Sequence, residues 1–299
     1  SCSPHAAGSE AIAIRSAARR AVIEPIVESP SVIRWLRSPY DREILRLAVP
    51  ALAALAAEPL YLLTDTAIVG HLGTDQLAAL ALAATLLSTL TSLCIFLTYG
   101  TTAAVARLHG AGELERAGAL AAQALWLAVV IGAALAVVLL ALAGALVGLL
   151  GGDGEVARLA ARYVRISAPG LVFALIALAG QGWLRGMSDL RTPLVILAAA
   201  NGVNVVLDVV FIYGFGWGLD GSAWATVIAQ AGMGVAFVAL LLRAPASTRR
   251  PRRELIAPLL RTGGDLVVRT GALVGSFLVA SAVLARIGPA SLGAHQIAF

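Results

Sequence analysis

Asp65 and Asp208 are carboxylates set inside long apolar runs, PLYLLTDTAIVG and NGVNVVLDVVFIY. An acid at the centre of a bilayer costs roughly 2.5–3.5 kcal/mol to insert, so each marks a place where something is bound or moved. Polar companions sit at helical spacing. Tyr61 precedes Asp65 by one turn, Asn204 precedes Asp208 by one turn, Thr226 brings a hydroxyl in GSAWATVIAQ, and Gln181 offers an amide. Carboxylates, amides and hydroxyls are hard oxygen ligands, suited to an alkali cation or, where an acid is neutralised by burial, to a bound proton. Each residue also has a plainer reading. Thr226 can bond its own helix, Gln181 can join two helices, Tyr61 can be a packed aromatic, and an acid can lie near the interface. The mid-run positions of the two aspartates favour the ion site over the last of these.

The elements that must carry these residues are membrane helices. The chain is 59% hydrophobic and 13% charged with a mean hydropathy of +0.88, far more apolar than soluble domains. Runs long enough to span a bilayer fall at about 44–70, 77–106, 117–150, 157–184, 192–214, 221–242 and 265–287, and an eighth starts near Leu292. The expected fold is an all-α polytopic membrane bundle. All 22 basic residues are arginine, and they gather in loops and at helix ends without interleaved aromatics, so the net charge of +5 does not point to nucleic acid. Cys2 and Cys94 are too few and too scattered for a disulfide framework or metal site, and no nucleotide loop or catalytic triad is present. His5, His71, His109 and His295 are likewise dispersed.

Arginine is confined to alternate loops. Arg107 and Arg116 flank the second, Arg185 and Arg191 the fourth, and Arg243, Arg249, Arg250, Arg252, Arg253 and Arg261 load the sixth, while 71–76, 151–155 and 214–221 have none. Positive-inside sorting then places the N-terminus in the cytoplasm of a multi-pass protein of the cell membrane. Arg158, Arg162 and Arg165 dissent, as does Arg286 at the end of the seventh run; the i, i+4, i+7 spacing of the first three puts them on one face, to snorkel or line water. The expected domains are a flexible cytoplasmic tail at 1–40, a six-helix lobe at 41–242, a basic linker at 243–262 and the start of a second lobe at 263–299. A weak repeat supports the second lobe: Arg46, Gly73 and Leu77 recur 215 positions later as Arg261, Gly288 and Leu292. Repeated bundles with midplane sites are how many secondary transporters are built.

The chain resembles the multidrug and toxic compound extrusion family, in its DinF-like branch, through REILRLAVPALA, LYLLTDTAIVGHLG, WLRGMSDLRTPL, NVVLDVVFIYGFGWGLDGSAWATVIAQ and DLVVRTGAL in one order. The resemblance implies a non-enzymatic antiporter of two six-helix lobes, exchanging H+ or Na+ for bulky organic compounds, with no cofactor beyond that ion and no obligate protein partner besides the surrounding lipid. It places a helix bend at Pro50 and a cation pocket at Asp65, Asn204, Asp208, Thr226 and Tyr61, with Gln181 matched less closely. Similar proteins have twelve spans, so the expectation here is one lobe and the first repeated helix of another, in an incomplete or truncated chain. Three rival expectations stand beside it: a lipid-linked precursor flippase, an intramembrane aspartyl protease using the two acids as general acid and base, and an inactive lobe. The protease lacks its glycine motif before Asp208, and a flippase expects cavity arginines for a pyrophosphate headgroup, whereas these lie mostly in loops.

Overall fold

The computed structural model describes Leu52 and residues 63–287. The chain divides into two units, Ser1–Ala56 and Ala57–Phe299, and everything that follows concerns the second. The tail, the start of the first span, Pro50, Tyr61 and the eighth span lie outside the described residues. Among the described residues every regular element is helical. They are α1 (63–70), α2 (Thr74–Leu93), α3 (Phe96–Gly110), α4 (Leu114–Leu149), α5 (Gly154–Gly186), α6 (Arg191–Val209), a π-helical turn (Val210–Gly214), α7 (Leu219–Arg243) and α8 (Arg253–Ile287).

Five of the expected spans appear as helices long and apolar enough to cross a membrane: Thr74–Gly110, Leu114–Leu149, Gly154–Gly186, Arg191–Gly214 and Leu219–Arg243. The protein is therefore an all-α, polytopic membrane bundle. Its second span is not one uninterrupted helix. At Cys94 and Ile95 the ladder tightens to i→i−3 bonds, Cys94 N–H to Thr91 O at 3.0 Å and Ile95 N–H to Ser92 O at 3.2 Å, which divides α2 from α3 without a proline.

The helix at the centre is α5, which packs on α2, α3, α4, α6 and α7. Its apolar stretch is 61% buried, against 17–33% for the other four spans. Buried positions such as Ala160, Val164, Ala168, Leu171 and Leu175 follow the 3–4 residue spacing of one helical face. Pro169 sits inside this helix, yet the helix runs unbroken from Gly154 to Gly186. Neighbouring helices on several sides hold its shape despite the missing donor.

Within 243–262, residues 244–252 are non-helical and α8 begins at Arg253. α8 packs against α2, α3 and α4.

Candidate functional site

The bundle has one arginine-poor end, where α1 meets α2, α4 meets α5 and the π-turn meets α7. Polar residues converge inside that end. Asp65 on α1 is 6% exposed, Asp208 on α6 is fully buried, and Asn204, one turn before it, is 2% exposed. Ser222 Oγ, at the start of α7, donates to Asp65 Oδ1 at 3.2 Å. Asp208 lies near the same hydroxyl. One turn further along α7, Thr226 Oγ1 accepts from Asn204 Nδ2 at 3.3 Å. The sequence places Ser222 and Thr226 four apart, hence on the same face. From α5, the buried Tyr163 side chain lies against Ser222 and Thr226.

Local sequence explains the convergence. Helix α6 widens into the π-turn directly after Asp208, and Phe215 N–H closes it on Val210 O at 2.9 Å. Such single-turn bulges recur at functional sites. Opposite it, Gly221 lets α7 approach: a Cβ there would meet Phe211 backbone and side-chain atoms at 3.0 Å. That close approach sets Ser222, the next residue, against the aspartates. Tyr213, in the π-turn, ties α6 to α1 by donating from its hydroxyl to Ile68 O at 2.8 Å. An apolar cavity of about 380 Å³ opens beside this bond, lined by Leu63, Thr64, Ala67, Ile68, His71 and Tyr213. Phe211, Phe215 and Trp217 stack with ring centroids 5.1–5.8 Å apart.

Of the six pocket residues expected from sequence, the structure brings four together: Asp65, Asn204, Asp208 and Thr226. Tyr61 lies outside the described residues, as does Pro50 at the expected bend. Gln181 is elsewhere. It is 18 residues from Tyr163 on the same helix, about 27 Å along the axis, and its Oε1 accepts from Arg185 Nη2 at 3.3 Å. Ser222 and Tyr163 were missed. The signal for Ser222 was its four-residue spacing from Thr226; Tyr163 had none, because it is flanked by the arginines of α5 and meets the pocket only through tertiary packing.

Two of those arginines are ion-paired. Arg158 pairs with Glu155, and Arg162 Nη2 reaches Asp220 Oδ2 on α7 at 2.5 Å. The latter joins α5 to α7 just above Ser222. Because the arginine side chain is 59% exposed, it contributes little stability and serves mainly to align the helices. No cluster of three His, Cys, Asp or Glu suited to a divalent metal occurs among the described residues.

Similarity to known proteins agrees with this architecture. A family model described as MatE matches residues 50–210, more than half the chain. The chain belongs to the MatE family. It is 34% identical over 194 residues to DNA damage-inducible protein F of Escherichia coli K12, a match covering 64% of this chain and 42% of that protein. It is 32% identical over 273 residues to a probable multidrug resistance protein NorM of Bradyrhizobium diazoefficiens, covering 86% of this chain and 57% of the relative. Among solved structures, a MOP superfamily transporter from Pyrococcus furiosus superposes with a TM-score of 0.75 at 27% identity, over 88% of this chain and 60% of that one. The chain thus spans about half the length of the curated relatives it matches. The matched residues 50–210 take in α1 to α6, the helices that carry Asp65, Tyr163, Asn204 and Asp208.

Proposed function

We propose that this chain is the cation-coupling lobe of an exporter of organic, drug-like compounds, and that the pocket of Asp65, Asn204, Asp208, Ser222, Thr226 and Tyr163 holds the coupling ion, H+ or Na+. The observation that carries this reading is the burial of two carboxylates on different helices in one polar cluster with Asn204 and Ser222. Two acids so placed do not both keep a full negative charge in a low-dielectric site without a counter-ion; a proton or an alkali cation supplies it. The donor set is all oxygen and amide, which suits either ion. Export of drug-like compounds is carried by the name of the Bradyrhizobium relative, and the open apolar cavity beside α1 is a surface for such a compound.

The mechanism follows from where the pocket sits. Filling or emptying it changes the polar contacts that tie α1 to α7 through Asp65 and Ser222, and to α6 through Ile68 and Tyr213. Ile68 and Tyr213 line the cavity, and Asp65 lies on the same helix as Ile68. An ion that binds one arrangement of α1 more tightly than the other therefore shifts the cavity between a compound-binding and a compound-releasing shape. The arginine-rich end faces the cytoplasm in this reading, following the charge asymmetry of the loops. The second lobe beyond the linker would complete the cavity needed for alternating access.

A hydrophobic carbodiimide, which reacts with protonated buried carboxyls, tests the pocket in the chain as it stands. Mass mapping is expected to find the label on Asp65 or Asp208, forming faster at low pH or slowed by added Na+. Labelling of both acids that responds to neither ion contradicts the assignment.

A further inference from the structure

At the arginine-rich end, residues 244–252 do not hang free between α7 and α8. They lie along the first turns of α4. Ser247 N–H donates to Glu115 O at 3.0 Å. Gln123, in the apolar run AAQALW, is 0% exposed; its Nε2 donates to Arg250 O at 3.0 Å and its Oε1 accepts from Arg252 N–H at 2.8 Å. Trp126 Nε1 donates to Arg249 O at 2.9 Å. Gly118 permits the contact, since any side chain there would run into the carbonyl of Pro245. Arg249 then folds back, donating from Nη2 to Ala244 O at 2.6 Å and to Leu242 O at 3.1 Å, which caps the end of α7.

The consequence is a strap whose backbone is consumed by α4 and whose side chains are turned outward. Arg243, Arg250, Arg252 and Arg253 are all exposed, and none takes part in the three ion pairs found among the described residues. The acids close by in sequence are few: Glu113 is already paired with Arg116, leaving Glu115 and Glu254 near the strap. Trp126, twelve residues into α4, is 45% exposed, and half-exposed indoles are enriched at the membrane–water interface. With 36 residues, α4 is about 54 Å long against a hydrocarbon core of about 30 Å, so its strap-bearing end reaches the headgroup layer.

We propose that this strap is a docking surface for anionic phospholipid headgroups of the adjoining leaflet. Gln123 is its positioning residue, holding the arginines at fixed points beside the Trp126 indole. Clusters of four or more basic residues next to a membrane helix attract anionic lipid; here the cluster is held by buried hydrogen bonds instead of being a loose tail, so the charges meet a headgroup without first being ordered.

Native mass spectrometry of the full chain, incubated with phosphatidylglycerol or phosphatidylcholine, tests this directly. The wild type is expected to retain the anionic lipid about tenfold over the zwitterionic one. Arg250→Gln, Arg252→Gln and Arg253→Gln together should bring that ratio close to one, each single change lowering it in part, with the helical circular dichroism unchanged. Gln123→Leu keeps every arginine yet should also lower the ratio, because the constellation loosens. Equal retention of both lipids by the wild type overturns the proposal, as does undiminished preference in the single arginine variants. Displacement of phosphatidylglycerol by equimolar inorganic phosphate overturns it too, by showing a site for free anion.

Discussion

The two ends of this bundle treat polar groups in opposite ways. At the arginine-poor end, side chains turn inward: Asp65, Asp208, Asn204 and Ser222 are buried and meet one another across three helices. At the arginine-rich end the main chain turns inward, onto Gln123 and Trp126, and the charged side chains face out. The first arrangement gathers two carboxylates, an amide and hydroxyls in a small buried site, the one proposed for the coupling ion. The second gives the buried Gln123 side chain main-chain partners on the linker, which ties the strap to α4. The two arrangements are separated by the length of the membrane helices.

Four substitutions probe that contrast, in falling order of effect. Asp208→Asn should remove ion-dependent carbodiimide labelling of Asp65 altogether, since the neutral amide no longer shares the pocket's charge; labelling that keeps its ion dependence would break the comparison at the inward-facing end. Gln123→Leu leaves Arg250 O and Arg252 N–H without partners, at about 1–3 kcal/mol each. Hydrogen exchange at the Arg252 amide should accelerate strongly while amides of α5 stay protected. Tyr163→Phe removes one hydroxyl from the pocket and is expected to weaken ion protection by roughly 1 kcal/mol, about fivefold, with little change in thermal midpoint. The smallest effect is at Asp189, where α5 turns into α6. Its Oδ1 accepts from Arg191 N–H at 3.1 Å and Thr192 N–H at 3.0 Å, so Asp189→Ala should cost about 1 kcal/mol as a lost cap.

The same aspartate predicts a pH dependence. Partial desolvation raises its pKa, but bonds from the Thr192 hydroxyl and the Thr192 and Arg191 amides outweigh this and hold it below the usual carboxylate value. A depressed folded-state pKa contributes stability that is present above the unfolded pKa and lost as pH falls through the folded one. The stability difference between wild type and Asp189→Ala should therefore shrink on acidification below the ordinary aspartate range. Thermal melts at a series of pH values check it, and a difference independent of pH would show that the cap acts without its charge.

Much of the fold was legible because membrane helices announce themselves: about 20 apolar residues are needed per span, and α4 to α7 carry such runs at nearly the expected boundaries. Asp65 and Asp208 were legible for the same reason, as charges where none belongs. What the sequence hid was hidden by tertiary context. Tyr163 reads as an ordinary interfacial aromatic until α5 is seen at the centre of the bundle. Gln181 looks like a pocket amide until the helix rise carries it to the other end. Gln123 obeys the logic that singled out the aspartates, a polar group deep in an apolar run, but its partners are backbone atoms of the linker, which have no residue signature. The division of α2 from α3 at Cys94 left no proline or glycine mark.

The central claim is that this lobe's acidic pocket couples an ion gradient to export. The most direct measurement is efflux of a fluorescent organic cation from proteoliposomes, driven by an imposed H+ or Na+ gradient, with a twelve-span version that carries this lobe. Gradient-driven efflux in the parent and its loss in Asp208→Asn, with dye binding retained, is the predicted result. Efflux at the parental rate in Asp208→Asn would contradict the account.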